Sequence, residues 1–241
     1  MDKFDVLLVD IQDVGLRYYT YYISMLHLMD ACAAYGKKVI VLDRPNPNGF
    51  YVDGPVLDMK YKSGVGALPI CTVHGMTLGE LALMINGEGW LEGGRKCDLE
   101  VIPCKNYSRN TRYCLIVPPS PNLKDMKSVY LYSSTCYFEG TVVTAGRGTS
   151  SPFEVYGHPD LKGYSFSFVP ESIQGAKNPR YLGQDPVLLL RRHLLPPHQR
   201  VLLHLPSAVR GQDCDEPLRV RPDRRVVQPV CTRRLQRLLL L

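Results

Sequence analysis

The chain has 241 residues, of which 45% are apolar, and carries a formal net charge of +6. These values are typical of a globular protein of one or two domains, and no apolar run reaches the roughly 18 to 20 residues of a membrane-spanning helix. The first residues, MDKFDVLLVD, do not show the basic start and long apolar core of a signal peptide. The sequence therefore leaves the localisation open.

The positive charge is confined to one end of the chain. Residues 1–183 carry 18 basic and 18 acidic side chains, whereas residues 184–241 carry 11 Arg and 5 acids, with no Lys, Tyr, Phe, Trp or Ile. A tract of Arg, Leu and Pro has three interpretations: a nucleic-acid-binding arm, an amphipathic segment, or translation of a GC-rich gene in the wrong frame. We favour the third, and expect residues 184–241 to be a frameshifted or disordered tail.

The eight cysteines show no pattern of metal ligands. They form no C-x-x-C pair and have no His/Cys ligand spacing, so we predict no metal site and no cofactor. Their expected role is that of small buried hydrophobic side chains.

The first predicted elements form a strand–helix–strand unit. Residues 4–10 are predicted to form a buried parallel strand, because Val6–Val9 within them is an unbroken apolar run. Residues 17–35 have apolar side chains at three- and four-residue steps, which predicts a helix that Gly36 ends. Residues 37–43 are predicted to form the second strand. Such a unit has a right-handed crossover, and predicts an α/β fold.

The following elements extend this pattern. Thr77 and Glu80 fit a capping box, which predicts a helix that ends at Gly87. Residues 97–104 are a third predicted strand, and residues 115–160 are rich in loop-forming residues. We therefore predict a partial Rossmann-like parallel sheet domain over residues 1–158, the start of a smaller C-terminal domain over residues 159–183, and the atypical tail.

Polar side chains follow the first two predicted strands. Asp10 and Asp13 come after the first strand, and Asp43, Arg44 and Asn46 come after the second. Ligands of open α/β sheets bind at the carboxyl ends of the strands, so these groups face one crevice if the strands are neighbours. The alternative for Asp10 and Asp13 is that they cap the next helix or accept hydrogen bonds from loop amides.

His74 lies in a loop before a predicted helix, in the sequence VHGMTLGE. A neutral imidazole there is able to donate a hydrogen bond to an anion or to transfer a proton. The alternative is a histidine bonded to the loop backbone. We assign Glu80 to the helix cap rather than to catalysis.

The second group of candidates lies in FEGT and GRGTSSPFE. Glu139 and Glu154 each follow a phenylalanine, where desolvation raises the pKa of a carboxyl group. Arg147 stands between two glycines, which allow the backbone to approach an anionic group closely. The alternative for GRGT is a tight turn with a structural Arg–carboxylate pair.

The candidate residues favour carbohydrate chemistry. The chain contains no G-x-S-x-G sequence, no P-loop and no dinucleotide fingerprint. Carboxylates, Asn, Arg and Tyr suit a hydroxyl-rich ligand, and hydrolysis of a glycosidic bond requires two carboxyl groups.

The order of the motifs DVLLVDIQDVGLRYYTY, VLDRPNPNG, HGMTLGELA, PPSPN, FEGT and GRGTSSPFEVYGHP resembles that of the NamZ exo-β-N-acetylmuramidases, over about residues 4–183. The resemblance implies a Rossmann-like N-terminal domain, a smaller C-terminal domain and a site in the cleft between them. It also implies release of terminal N-acetylmuramic acid from peptidoglycan fragments, which are the expected partners. Members of this family are commonly exported.

The resemblance also implies two sets of site residues. The catalytic candidates are Asp10, Asp13, His74, Glu139 and Glu154. The substrate-binding candidates are Gln12, Arg17, Asp43, Arg44, Asn46 and Arg147.

The sequence departs from the family pattern at both ends. Family members begin earlier, with a Ser-Pro-Glu-His-Gly type segment whose Glu is a candidate for the catalytic acid, so we expect a truncated chain. The leading hypothesis is a glycoside hydrolase, possessing only part of the family's site. The second is a non-catalytic muropeptide-binding module. A nucleic-acid binder acting through the tail is disfavoured, because residues 1–183 are electrically neutral.

Overall fold

The computed structural model describes residues 3–161 and 166–184, together with the backbone of residues 187–189. The described residues fall into two compact units, one of residues 3–113 and the other of residues 114–184. The domain boundary near residue 158 stays a prediction. The rest of the predicted tail, residues 185–186 and 190–241, lies outside the described residues.

The first unit is a parallel three-stranded sheet with two helices, which confirms the α/β fold class. The elements are β1 (Val6–Val9), α1 (Tyr21–Ala34), β2 (Lys38–Leu42), α2 (Leu78–Glu88) and β3 (Leu99–Ile102). The strands are ordered β1-β2-β3, with Val6 opposite Lys38 and Val39 opposite Leu99. β1, α1 and the parallel neighbouring strand β2 form the predicted crossover unit.

The core of the first unit lies on one face of this sheet. Val9, Val39 and Val41 are buried against the apolar sides of α1 and α2, because alternate side chains of a strand point to the same face. The helices contribute fully buried side chains such as Tyr22 and Leu81. Burial of each large apolar side chain stabilises the fold by roughly 1.5 to 3 kcal/mol.

The opposite face of the sheet is largely open to solvent. Val6, Leu8 and Ile102 are 44, 61 and 45% exposed, and β1 lies at one edge of the sheet formed by the described strands. Within the first unit, none of the residues that the structure describes covers this face with a helix. Parallel sheets are usually covered on both faces.

The helix ends differ from the predicted ones in two places. α1 begins at Tyr21 rather than at residue 17, because the preceding residues turn after Gly15, whose φ is +77°. Gly36 has the predicted left-handed conformation. The capping box of Thr77 and Glu80 is confirmed.

The prediction that α2 ends at Gly87 is wrong. The helix continues to Glu88, and the left-handed residue is Gly89, with a φ of +69°. This conformation turns the chain so that Trp90 donates its backbone N–H to Ile85 O at 3.0 Å and packs against the core.

The second unit contains a helix that the loop-rich interpretation of residues 115–160 missed. α3 (Met126–Thr135) has a capping box of Asp125 and Ser128, and a short 3-10 helix, Cys136–Gly140, follows it. α3 is rich in Ser and Tyr, which are weak helix formers, and its packing supports it. The rings of Tyr132 and Phe153 meet edge to face, with their centroids 4.7 Å apart.

The remaining strands of the second unit form a small antiparallel sheet. The strands are β4 (Gly157–His158), β5 (Ser167–Phe168) and β6 (Val187–Leu189). Their order in the sheet is β4-β6-β5, and the register places Gly157 opposite Leu189 and Phe168 opposite Val187.

Candidate functional site

Asp10 and Arg44 meet at the carboxyl edge of the first unit's sheet, as expected for residues that follow neighbouring parallel strands. Arg44 donates to both carboxylate oxygens of Asp10, from Nε to Oδ1 and from Nη2 to Oδ2, the second at 2.9 Å. Both side chains are nearly half exposed. The hydrogen bond from Arg44 lowers the pKa of Asp10, so Asp10 is a carboxylate suited to accept hydrogen bonds from a ligand.

Gln12 and Asn46 connect the loops around this edge. Gln12 Nε2 donates to Asp13 O and Pro45 O, both at 2.8 Å. Asn46 Nδ2 donates to Met76 O at 2.8 Å, and its side chain also lies directly against Gly15. These two amides therefore hold together the loops that follow β1 and β2 and the loop that precedes α2.

Asp13 is buried beneath these loops. Its Oδ1 accepts a hydrogen bond from Gly15 N at 2.7 Å, and its Oδ2 has no hydrogen-bond partner. Burial raises the pKa of this carboxyl to about 7, since desolvation disfavours the charged form. The contact with a loop amide matches the alternative interpretation of this residue; its catalytic role stays a prediction.

Arg17 is also buried, and its side chain ties two distant segments to the turn before α1. Arg17 Nη1 donates to Pro55 O at 2.9 Å and to Ile70 O at 2.6 Å, and its backbone N–H donates to Thr72 O. Arg17 therefore ties these segments together, and its predicted role in substrate binding stays a prediction.

His74 is completely buried in the loop before α2. Its Nδ1 accepts a hydrogen bond from Met76 N at 3.2 Å, which leaves Nε2 to carry the hydrogen of the neutral ring. Burial, with Arg109 and Arg17 nearby, lowers the pKa of His74 to about 3. The imidazole is therefore neutral at physiological pH and bonded to the loop backbone.

Asp43, at the end of β2, is engaged with the start of α2. It accepts hydrogen bonds from Thr77 Oγ1 at 2.6 Å and from Gly79 N at 2.8 Å. A carboxylate at this position is favoured by the unsatisfied N–H groups and the dipole of a helix N-terminus. Asp43 thus fixes the loop before α2 to the end of β2.

Sequence reasoning missed the residues that follow β3. Arg109 Nη2 donates to Glu80 Oε1 at 2.8 Å, and its Nη1 donates to Gly75 O. Tyr107 donates its hydroxyl to Asn46 O at 3.1 Å. The sequence contained a signal for these residues. A predicted third parallel strand ends at the same edge of the sheet as the first two, so the residues that follow it are expected near that edge.

The other three predicted residues lie in the second unit, and each forms an ion pair. Arg147 Nε donates to Glu139 Oε1 at 2.8 Å, its Nη2 lies 2.7 Å from the same oxygen, and its guanidinium lies over the Phe153 ring at 4.9 Å. Glu154 pairs with Lys127. GRGT therefore contains the Arg–carboxylate pair of the alternative interpretation, within a turn of two left-handed glycines.

Three further properties concern the part of the chain that the structure describes. In it, no three His, Cys, Asp or Glu side chains are grouped so as to hold a metal ion. The six described cysteines are free thiols. No helix there has the length and apolar character needed to cross a membrane.

Comparison with known proteins gives matches along most of the chain. The sequence model for the N-terminal part of the exo-β-N-acetylmuramidase NamZ matches residues 1–127, and the model for its C-terminal part matches residues 130–177. The peptidoglycan β-N-acetylmuramidase NamZ of Bacillus subtilis (strain 168) is 43% identical over 164 residues, which are 66% of this chain and 38% of that protein.

Two solved structures of DUF1343 family proteins from Bacteroides fragilis NCTC 9343 are also similar. One is 63% identical with a TM-score of 0.78, and the match covers 83% of this chain and 57% of that chain. The other is 29% identical with a TM-score of 0.66, and the match covers 80% of this chain and 54% of that chain. The chain thus spans between about two fifths and three fifths of the length of these relatives.

Proposed function

Because the chain belongs to the NamZ family of exo-β-N-acetylmuramidases, we propose that it is a glycoside hydrolase that releases terminal N-acetylmuramic acid from peptidoglycan fragments. The observation that carries the proposal is the pair of Asp10 and Arg44 at the carboxyl edge of the sheet. It presents a carboxylate and a guanidinium to solvent where α/β proteins bind ligands.

The burial of the candidate residues divides them into two roles. Asp10 and Arg44 are accessible, and we assign them to direct contact: Asp10 accepts hydrogen bonds from sugar hydroxyls or from a water, and Arg44 donates to oxygen atoms of the ligand. The buried candidates Asp13, Arg17 and His74 hold the loops that carry these two groups.

Glycosidic bond cleavage also needs a carboxylic acid that protonates the leaving oxygen. Glu139 and Glu154 are the remaining candidates for this acid, and their side chains are 34 and 14% exposed. We favour Glu139 because it is the more accessible of the two. Arg147, which binds Glu139, is the candidate that orients it.

A non-catalytic muropeptide-binding module is the second candidate function. Asp10 is paired with Arg44, whose hydrogen bond lowers the pKa of the carboxyl, so Asp10 is held in the form that has no proton to donate. This pairing favours binding without turnover.

Hydrolysis of a chromogenic N-acetyl-β-muramide tests the proposal. The 241-residue chain is assayed beside B. subtilis NamZ as a positive control. We expect release of the chromophore, and expect Glu139→Gln to slow it by about 100-fold or more, the usual contribution of a general acid. The matched control is Glu92→Gln, which removes another glutamate paired with an arginine.

The two candidate functions predict different results in this assay. No release by the chain, under conditions where the relative is active, would reject the hydrolase. Calorimetric binding of N-acetylmuramic acid in that case would support the binding module, and binding should weaken in Asp10→Ala. The nucleic-acid hypothesis depends on the tail, most of which lies outside the described residues.

A further inference from the structure

The second unit contains a groove that none of the predicted site residues lines. It has a volume of about 670 Å³ and lies between the loop that precedes α3, the turn after Arg147 and the segment that begins with β5. Ligand sites typically measure roughly 300 to 1,000 Å³. The groove is therefore large enough for a sugar.

Glycine residues fix the walls of this second-unit groove. Gly148 has a φ of +87°, and a Cβ there would lie 2.5 Å from Pro179 Cγ. Its carbonyl accepts a hydrogen bond from Glu171 N at 2.8 Å. These contacts join two walls of the groove through their backbones, an approach that only glycine permits.

The third wall, which is the loop that precedes α3, is held by a similar close approach. Gly175 has a φ of +85°, and a Cβ there would lie 2.6 Å from Pro121 Cβ. Asn122 Nδ2 donates to Gly175 O at 2.9 Å. These contacts involve none of the charged side chains that line the groove, which leaves those side chains available to a ligand.

Two opposite charges line the groove without neutralising each other. Lys124 and Glu171 are both exposed, and within the described residues neither has an oppositely charged side chain within 4.0 Å. The other charged candidates of this unit, Glu139, Glu154 and Arg147, are all paired. The groove therefore offers an ammonium and a carboxylate to the same ligand.

Neutral groups complete the lining. Gln174 supplies an amide and Ser150 a hydroxyl, whereas Phe168 and Ile173 supply apolar surface. The hydroxyl of neighbouring Thr149 is already engaged with Gly146 O and Ser151 N. A sugar ring has an apolar C–H face and a polar rim, and a lining of one aromatic ring with a few polar groups matches both.

We propose that the second-unit groove is a subsite for a carboxylate-bearing amino sugar, in which Lys124 binds the carboxylate. This inference rests on the proposed function and deepens it, since it names the residue that selects N-acetylmuramic acid over N-acetylglucosamine. Glu171 and Gln174 bind the hydroxyl and amide groups that the two sugars share, and the apolar wall packs on the ring.

Calorimetric binding of the two sugars to the 241-residue chain tests the subsite. N-acetylglucosamine has a hydroxyl in place of the lactyl ether that carries the carboxylate, and is otherwise the same sugar. We expect Lys124→Gln to weaken the binding of N-acetylmuramic acid about tenfold, as the loss of a charge-assisted hydrogen bond does, and to leave the binding of N-acetylglucosamine unchanged. Lys124→Arg should retain most of the affinity for N-acetylmuramic acid.

The control is Lys177→Gln, which removes an exposed lysine of the same unit that does not line the groove. Unchanged binding of N-acetylmuramic acid in Lys124→Gln would overturn the subsite, as would equal weakening of both sugars, or no binding by the unsubstituted chain. Absence of hydrolysis with selective, Lys124-dependent binding would reject the hydrolase and support the subsite. Hydrolysis without Lys124-dependent binding would support the hydrolase and reject the subsite.

Discussion

The two units position their polar side chains by opposite means. In the first unit, Arg17, Asn46 and His74 are buried and make hydrogen bonds to the backbone of the loops around the sheet edge. In the second unit, the groove loops are held mainly by close approach at Gly148 and Gly175, with one buried amide, Asn122, while the charged side chains that line the groove stay exposed. A polar residue within a motif can therefore serve the loop rather than the ligand, and burial distinguishes the two roles.

The largest effect that would test this comparison concerns how the stability of the first unit depends on pH. Burial raises the pKa of Asp13 from 3.8 to about 7, so the folded chain binds this proton more tightly than the unfolded chain. The resulting stability is fully present below about pH 4 and is lost as the pH rises through 7. A shift of about 3 pH units corresponds to a free energy on the order of 4 kcal/mol.

Asp13→Asn removes this titration. We expect the free energy of unfolding to fall less between pH 4.5 and 7.5 in the variant than in the original chain. Urea unfolding followed by the fluorescence of Trp90, the single tryptophan, measures it. The control is Asp5→Asn, whose side chain is 98% exposed. Parallel profiles for Asp13→Asn and the original chain would show that Asp13 does not titrate in this range.

The next effect concerns Arg17, which bonds the loops of the first unit from within. Arg17→Met leaves the carbonyl groups of Pro55 and Ile70 without the hydrogen bonds that they accept from Arg17. We expect a loss of roughly 3 kcal/mol of stability, since two hydrogen bonds from a charged group are removed and each contributes about 1.5 to 3 kcal/mol. Ile70 O keeps the hydrogen bond that it accepts from Leu57 N at 3.2 Å. The same urea experiment measures the loss.

Arg180→Met provides the matched control, because this arginine is exposed and surface substitutions usually change stability by less than about 0.5 kcal/mol. If Arg17→Met were as mild as the control, the first unit's loops would not depend on buried polar contacts. The comparison between the units would then fail.

The smallest effect tests the second unit. Gly148→Ala forces a side chain into a left-handed conformation and against Pro179, which we expect to cost about 2 kcal/mol. Urea unfolding followed by far-ultraviolet circular dichroism measures it. The control, Gly140→Ala, adds a Cβ with no atom within 4 Å. Equal stability of the two variants would show that close approach at Gly148 does not hold the groove.

Much of the first unit's architecture was predictable from local patterns. The apolar runs within residues 4–10 and 37–43 were sufficient to predict two strands, because neighbouring apolar residues are typical of parallel strands. The prediction that the first strand is buried was wrong, since Val6 and Leu8 are exposed. The capping box of Thr77 and Glu80 is a local contact over three residues, and the sequence displays it directly. These features depend on neighbours along the chain.

The remaining features depend on partners far along the chain. Arg17 bonds to Ile70 across 53 residues, and Asn46 to Met76 across 30, so no local pattern shows that either side chain is buried. α3 was missed because Tyr132 gains its stability from Phe153, 21 residues later. The groove joins segments around Pro121, Gly148 and Glu171 through turns whose geometry only the structure gives.

Among the strands that the structure describes, β1 pairs on one side only, and its other edge affects how separate molecules interact in solution. Its residues, VLLV, include no proline and no charged side chain, which are the features that natural sheets use to discourage pairing at an edge. Leu8 and Val6 place apolar surface beside that edge. We therefore expect net attraction between copies of the chain, seen as a negative second virial coefficient in light scattering. The attraction should strengthen in sulfate, which favours apolar burial, and weaken when a lysine replaces Leu8.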